Sequence, residues 1–221
     1  MMTTSAPMTR RRLLQCAAGA AAAVGLSACG ADRPQLGPAT SVSDTVPPPS
    51  VALVGDSISW LSRIELEAAL AAQGFGRIEF DALPGRRIAE GESSGLEVLD
   101  LILDAGVTAD VWIVELGTND LGSYDANGYA ELIDLVVKRI PAPTPMVWVD
   151  TYSSFRADAA TEFNAILREK MIDRGAAAVA DWYAKCLEIG PTTLIPDGLH
   201  PVADGFAVFA DVTVAPIDVV A

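Results

Sequence analysis

The 221 residues hold one histidine, His200. It closes the stretch Asp197-Gly198-Leu199-His200-Pro201, three positions after an aspartate. Histidine is the side chain whose unperturbed proton exchange falls near neutral pH. Across a tight glycine turn, the Asp197 carboxylate can bend back to imidazole Nδ1 and leave Nε2 free to take a proton from a hydroxyl. The candidate hydroxyl is Ser57, in Gly55-Asp56-Ser57-Ile58-Ser59. Two further stretches carry the donors that a developing oxyanion needs: Leu83-Pro84-Gly85-Arg86 and Gly117-Thr118-Asn119-Asp120. Gly85 offers a backbone N–H with no side chain in the way, and Asn119 offers an amide NH₂; the Ser57 N–H completes the set. Each stretch alone has a plainer reading. Gly-Asp-Ser could be a turn and N-cap, Pro84-Gly85 a turn, and Gly117 to Asp120 a loop leading into a helix. Asp197-Gly198 is a turn signal, with Pro201 suited to the first position of a helix. Together they fill each role of a serine-nucleophile site once.

These residues need elements to hold them. Short apolar runs suited to strands occur at 51–54, 77–83, 111–114, 146–149 and 176–180. Helical spacing of apolar residues occurs at 64–70, 96–103, 129–140, 159–171 and 202–214. The run Val111-Trp112-Ile113-Val114 suits a central parallel strand. Regular alternation of strand and helix predicts a parallel sheet with helices on both faces. Ligands of such sheets bind at the carboxyl ends of the strands, and the candidate residues fall in the connections that leave those ends. Trp60, Leu121, Tyr124, Tyr152 and Leu199 lie near them in sequence and are candidate pocket residues, with ordinary packing an equal alternative.

The first fifty residues read differently. Thr9-Arg10-Arg11-Arg12-Leu13-Leu14-Gln15 resembles a twin-arginine export motif, and an Ala-rich apolar run of signal-peptide length follows. Leu26-Ser27-Ala28-Cys29 is similar to a lipobox, which assigns residues 1–28 to a signal peptide and Cys29 to lipidation. An uncleaved hydrophobic anchor is the alternative, and either places the domain outside the cytoplasm. Residues 29–50, rich in Pro, Ser and Thr, read as a disordered tether. Residues 51–221 then form one domain, large enough to bury a core without staples. Of the three cysteines, Cys186 is left as a core thiol, so no intrachain disulfide is expected.

Lys and Arg number 15 against 29 Asp and Glu, net −14. Loss of residues 1–28 would remove three arginines and no acid, leaving 12 against 29, or −17. A chain this acidic is a poor partner for nucleic acid, and it favours a covalent lipid anchor over electrostatic attachment to the membrane. A monomer is the expectation.

The four stretches resemble, in order, the sequence blocks of the SGNH (GDSL-type) hydrolase superfamily: Gly55-Asp56-Ser57, Gly85, Gly117 to Asp120, and Asp197 to His200. The first block reads GDSIS where the family has GDSL. The resemblance implies a flavodoxin-like three-layer α/β/α sandwich on a five-stranded parallel sheet. It also implies an acyl-enzyme mechanism on ester bonds. Ser57, Asp197 and His200 would be catalytic, and Ser57, Gly85 and Asn119 would form the oxyanion hole, with no metal and no cofactor. The intervals between blocks leave little chain for a lid, so the site should be shallow and suited to short acyl groups. A small ester or an O-acylated envelope glycan is the expected substrate. An O-acyltransferase with the same triad and a non-catalytic glycan-binding lipoprotein are the alternatives.

Overall fold

The continuous apolar runs become the middle of a sheet. In a computed structural model that describes residues 47–220, the strands are β1 (Ser50–Gly55), β2 (Arg77–Ala82), β3 (Val111–Glu115), β4 (Met146–Val149) and β5 (Ala177–Ala180). They lie in the order β2-β1-β3-β4-β5, and every neighbouring pair is parallel. The central strands β1, β3 and β4 are buried at every position, so they carry apolar residues on both faces and show no alternation. The edge strand β2 is the polar one: Arg77 and Glu79 are exposed, while Ile78 and Phe80 are half-buried.

The helices are α1 (Ser57–Leu61), α2 (Arg63–Ala72), α3 (Gly95–Asp104), α4 (Ala126–Arg139), α5 (Ala157–Arg174), α6 (Trp182–Ile189), α7 (Pro191–Leu194), α8 (Ala203–Val214) and α9 (Ile217–Val220). Successive strand residues point to opposite faces, and two cores result. Ala52, Val54, Trp112, Val114 and Trp148 face α3, α4 and α5. Val51, Leu53, Ile113, Val147 and Val149 face α2, α6 and α8. This is the three-layer α/β/α arrangement expected from the alternation of strands and helices.

Local chemistry fixes the helix ends. Ser94 and Glu97 form a reciprocal capping box at the start of α3, and the Asp125 side chain accepts from Gly128 N at the start of α4. Pro141 follows directly on the Ile140 cap that ends α4. Two sequence expectations shift. Ile64, counted among the apolar repeats of its helix, is 78% exposed, because α2 turns Leu66 and Leu70 inward instead. Pro201 does not open α8. Val202 stays extended, its N–H donating to Leu194 O at 3.0 Å, and the helix starts at Ala203.

β1 begins at Ser50, one residue inside the segment read as tether. The twin-arginine stretch, Cys29 and residues 30–46 lie outside the described residues. Among the described residues no helix is long and apolar enough to cross a membrane. Cys186 is buried, and burial pushes its thiol up to about 12, so it stays protonated and inert.

Candidate active site

From β1 the chain steps to β2 on one side, then to β3, β4 and β5 on the other. The reversal lies between β1 and β3, where an open parallel sheet forms its crevice. Ser57 is the first residue of α1, directly after β1, and Asn119 lies in the 3-10 turn Thr118–Asp120 after β3. Both candidates therefore stand at that switch point.

Asp56 caps α1, its Oδ1 accepting from Ile58 N at 2.9 Å. The cap reading of Gly-Asp-Ser therefore holds at Asp56, one residue before the candidate hydroxyl of Ser57. Ser57 Oγ lies 3.1 Å from His200 Nε2, and His200 Nδ1 lies 2.8 Å from Asp197 Oδ2. The other carboxylate oxygen, Oδ1, accepts from Leu199 N at 2.9 Å and His200 N at 2.7 Å. The glycine turn thus wraps its own backbone round the aspartate and holds the imidazole against it.

Burial pushes the Asp197 carboxyl up, but the bonds from His200 and Leu199 outweigh it and leave it below the usual carboxylate value. An ionised carboxylate only accepts, so Nδ1 carries the hydrogen and Nε2 presents a lone pair to Ser57. The fold brings Ser57 and His200 into contact from 143 positions apart in the sequence.

The candidate oxyanion donors are not all free. Gly85 sits at φ +77°, with open space where a Cβ would be. Among the described residues, neither the Ser57 nor the Gly85 amide donates to an internal acceptor. Asn119 Nδ2 is different. It donates to Asp56 Oδ2 at 2.9 Å and to Arg86 O at 3.0 Å, which engages both of its hydrogens.

Two residues with no role in the sequence reading brace this cleft. Arg86 is buried, and its guanidinium donates to Gly55 O, Asp81 O, Asp81 Oδ1 and Ser93 O, clipping the Gly85 loop to the end of β1. Glu115 ends β3, and its Oε2 accepts from Asp56 N, Ser59 N and Ser59 Oγ at 3.1, 3.2 and 2.9 Å. A charged residue closing the apolar run Val111-Trp112-Ile113-Val114 was the available signal. Asp150, buried at the end of β4, is pushed up to about 6 by burial against its bonds from Tyr183 N and Arg168; it stands apart from the relay.

The candidate pocket residues separate. Leu121 is core. Tyr124 packs beside it and donates to Glu90. Trp60 is 52% exposed. Tyr152 lines a shallow groove of about 300 Å³ with Ser154, Phe155, Thr192, Pro196 and Asp197. Leu199 is half-buried beside His200. A smaller depression of about 190 Å³, lined by Ser50, Arg77 and Thr108, lies at the opposite ends of the strands and holds none of the candidate residues.

No protein-family model matches the sequence, and no curated protein is similar to it in sequence. Solved structures are similar. The C-terminal catalytic domain of the Streptococcus pneumoniae peptidoglycan O-acetyltransferase A superposes with a TM-score of 0.62 at 17% identity, over 77% of this chain and 94% of that one. A family 3 carbohydrate esterase of Clostridium thermocellum gives 0.59 at 20%, over 78% and 96%. A member of the lipolytic G-D-S-L family from Veillonella parvula gives 0.62 at 14%, over 75% and 96%. The fold is that of the SGNH hydrolases. Within that SGNH fold, the four sequence blocks all fall at the carboxyl edge of the sheet.

Proposed function

We propose that the protein is an exported serine esterase that removes short acyl groups, acetyl foremost, from O-acylated glycans. The observation that carries the chemistry is the relay from Ser57 Oγ through the imidazole to Asp197. In the first half-reaction Ser57 Oγ attacks the ester carbonyl carbon as its proton passes to His200 Nε2. The carbonyl oxygen becomes an oxyanion that the Ser57 and Gly85 amides meet, joined by Asn119. The bond to the alcohol oxygen then breaks, and Nε2 returns the proton to that oxygen. Water repeats the sequence on the acyl-enzyme and releases the free acid. Asp197, held ionised, fixes the tautomer and stabilises the imidazolium.

The substrate reading draws on the shape of the rim. Phe155, 70% exposed, stands between two shallow depressions of about 300 and about 310 Å³, with Ser154, Thr192 and Arg156 beside it. An exposed aromatic ring among polar groups suits a sugar ring better than a long acyl chain, which needs an enclosed apolar channel. Two proteins of similar fold bear names for acyl chemistry on carbohydrate. The first of them keeps an O-acyltransferase as the second reading: the same relay with an alcohol in place of water.

A para-nitrophenyl ester series tests the proposal. Turnover is expected to be highest from acetyl to roughly butyl, because an open site does not bury further methylenes worth about 0.8 kcal/mol each. Rising kcat/KM out to twelve carbons would refute the short-acyl reading, and ester formation on an added sugar would select the transferase. For location, we infer lipidation at Cys29 of a twin-arginine precursor. Cys29→Ser should move the protein to the soluble fraction; persistence in the membrane fraction would favour an uncleaved anchor.

A further inference from the structure

Asp56 and Glu115 are both buried, at 0% and 3% exposure, and meet beneath Ser57, where Asp56 N donates to Glu115 Oε2 at 3.1 Å. Two carboxylates in contact and out of water do not both ionise. Their bonding is unequal. Glu115 Oε2 alone gathers three donors, Asp56 N, Ser59 N and Ser59 Oγ, as suits an anion. Asp56 accepts one bond on each oxygen, from Ile58 N and from Asn119 Nδ2.

The groups facing the pair point the same way. Arg86, from the loop after β2, spends its guanidinium on Gly55 O, Ser93 O and Asp81. Asp120, beside Asn119, turns to Ile88 N and Arg87. His200 alone brings a charge that favours ionised Asp56, and only when the imidazole is protonated. Burial, then the Glu115 charge, hold Asp56 well above the usual carboxylate range.

We propose that Asp56 is kept as the neutral acid, donating its proton to ionised Glu115, and that this positions Asn119 for release to the oxyanion. The inference rests on the esterase reading above. Asn119 has no free hydrogen in the resting site, so it serves the oxyanion only by giving up Asp56 Oδ2 or Arg86 O. A neutral oxygen holds an amide about half as strongly as a carboxylate does. With Asp56 neutral, the exchange toward the negative oxyanion is favoured; with Asp56 ionised, Asn119 stays tied down and a second negative charge faces the oxyanion. Glu115 and Asp56 are positioning residues, because neither touches the substrate.

The sign of the pH effect follows. Raising pH removes the shared proton, so wild-type kcat should fall on the alkaline side. Glu115→Gln keeps the shape but removes the neighbouring negative charge and makes residue 115 a donor, which shifts Asp56 toward its ionised form at neutral and alkaline pH despite its burial. Its kcat should fall roughly ten- to a hundredfold, short of the about 10²–10³ for losing an oxyanion donor outright, with KM little changed and the alkaline fall absent. Asp56→Asn presents an uncharged group and should lose far less kcat than Glu115→Gln.

Infrared spectra of the full protein give a readout independent of turnover. A protonated-carboxyl stretch should be present at neutral pH and vanish in Asp56→Asn. Equal kcat losses in the two variants, an alkaline limb that survives in Glu115→Gln, or absence of that stretch would each overturn the proposal. A wild-type protein that shows the stretch but turns over no ester would leave the shared proton standing and defeat the esterase reading instead.

Discussion

Ser57→Ala and His200→Ala are each expected to lower kcat/KM by roughly a thousandfold or more, with the double variant losing little beyond either. The expectation comes from the shared proton path. Ser57 Oγ reaches Nε2 at 3.1 Å and Nδ1 reaches Asp197 at 2.8 Å, so removing either partner disables the same step. Losses from independent groups would multiply, whereas losses from one relay do not. Because His200 is the sole histidine, a single imidazole signal can be followed by NMR. Protonated imidazole cannot accept from Ser57, so kcat/KM should rise with pH along that same titration. A His200→Ala protein that keeps its activity would remove the relay from consideration and return Asp197 to His200 to the status of a turn.

Gly198→Ala should cost about a hundredfold in kcat/KM and lower Tm, although residue 198 carries no functional side chain. Gly198 holds φ +83°, where an L residue is strained by roughly 1–2 kcal/mol. A Cβ there would fall 2.0 Å from Ser154 Oγ and 3.2 Å from Phe155 Cε2. The turn and the loop after β4 are also tied by Ser154 N to Gly198 O at 2.9 Å, so neither can yield alone. Shifting this turn by an ångström takes Asp197 and His200 with it, and misplacement on that scale costs on the order of 10²-fold. Gly85→Ala is the comparison. It carries the same kind of positive φ with nothing within 4 Å of the added methyl, so its loss of stability should be limited to backbone strain. Equal Tm losses for the two would show that the contact with Ser154 is unimportant.

The strands were legible because central parallel strands are apolar on both faces, and runs such as Val111-Trp112-Ile113-Val114 admit few other readings. The candidate site was legible for the opposite reason: polar residues and glycines stand at the carboxyl ends of those runs, where packing asks for neither. What stayed hidden depends on partners far along the chain. Nothing near Ile64 says that Leu66 and Leu70 take the inward face. Helices α1 and α7, of 5 and 4 residues, are too short to display a period. Arg86 and Glu115 look like single charges until the fold sets one against Gly55 O and the other beneath Asp56. The occupied hydrogens of Asn119 likewise exist only once Asp56 and Arg86 O have been brought to it from two other loops.

The relay joins residues 143 positions apart, which has a consequence for when the protein becomes competent. Every sheet pairing forms among residues 50–180, while His200 lies on the segment that follows β5 and precedes α8. Contacts this distant in sequence are the costly ones to close. The Ser57–His200 contact is therefore expected to close after the sheet has paired and to open before the sheet does. Local opening of the 190–202 segment, well short of global melting, would silence the protein while its sheet remained intact.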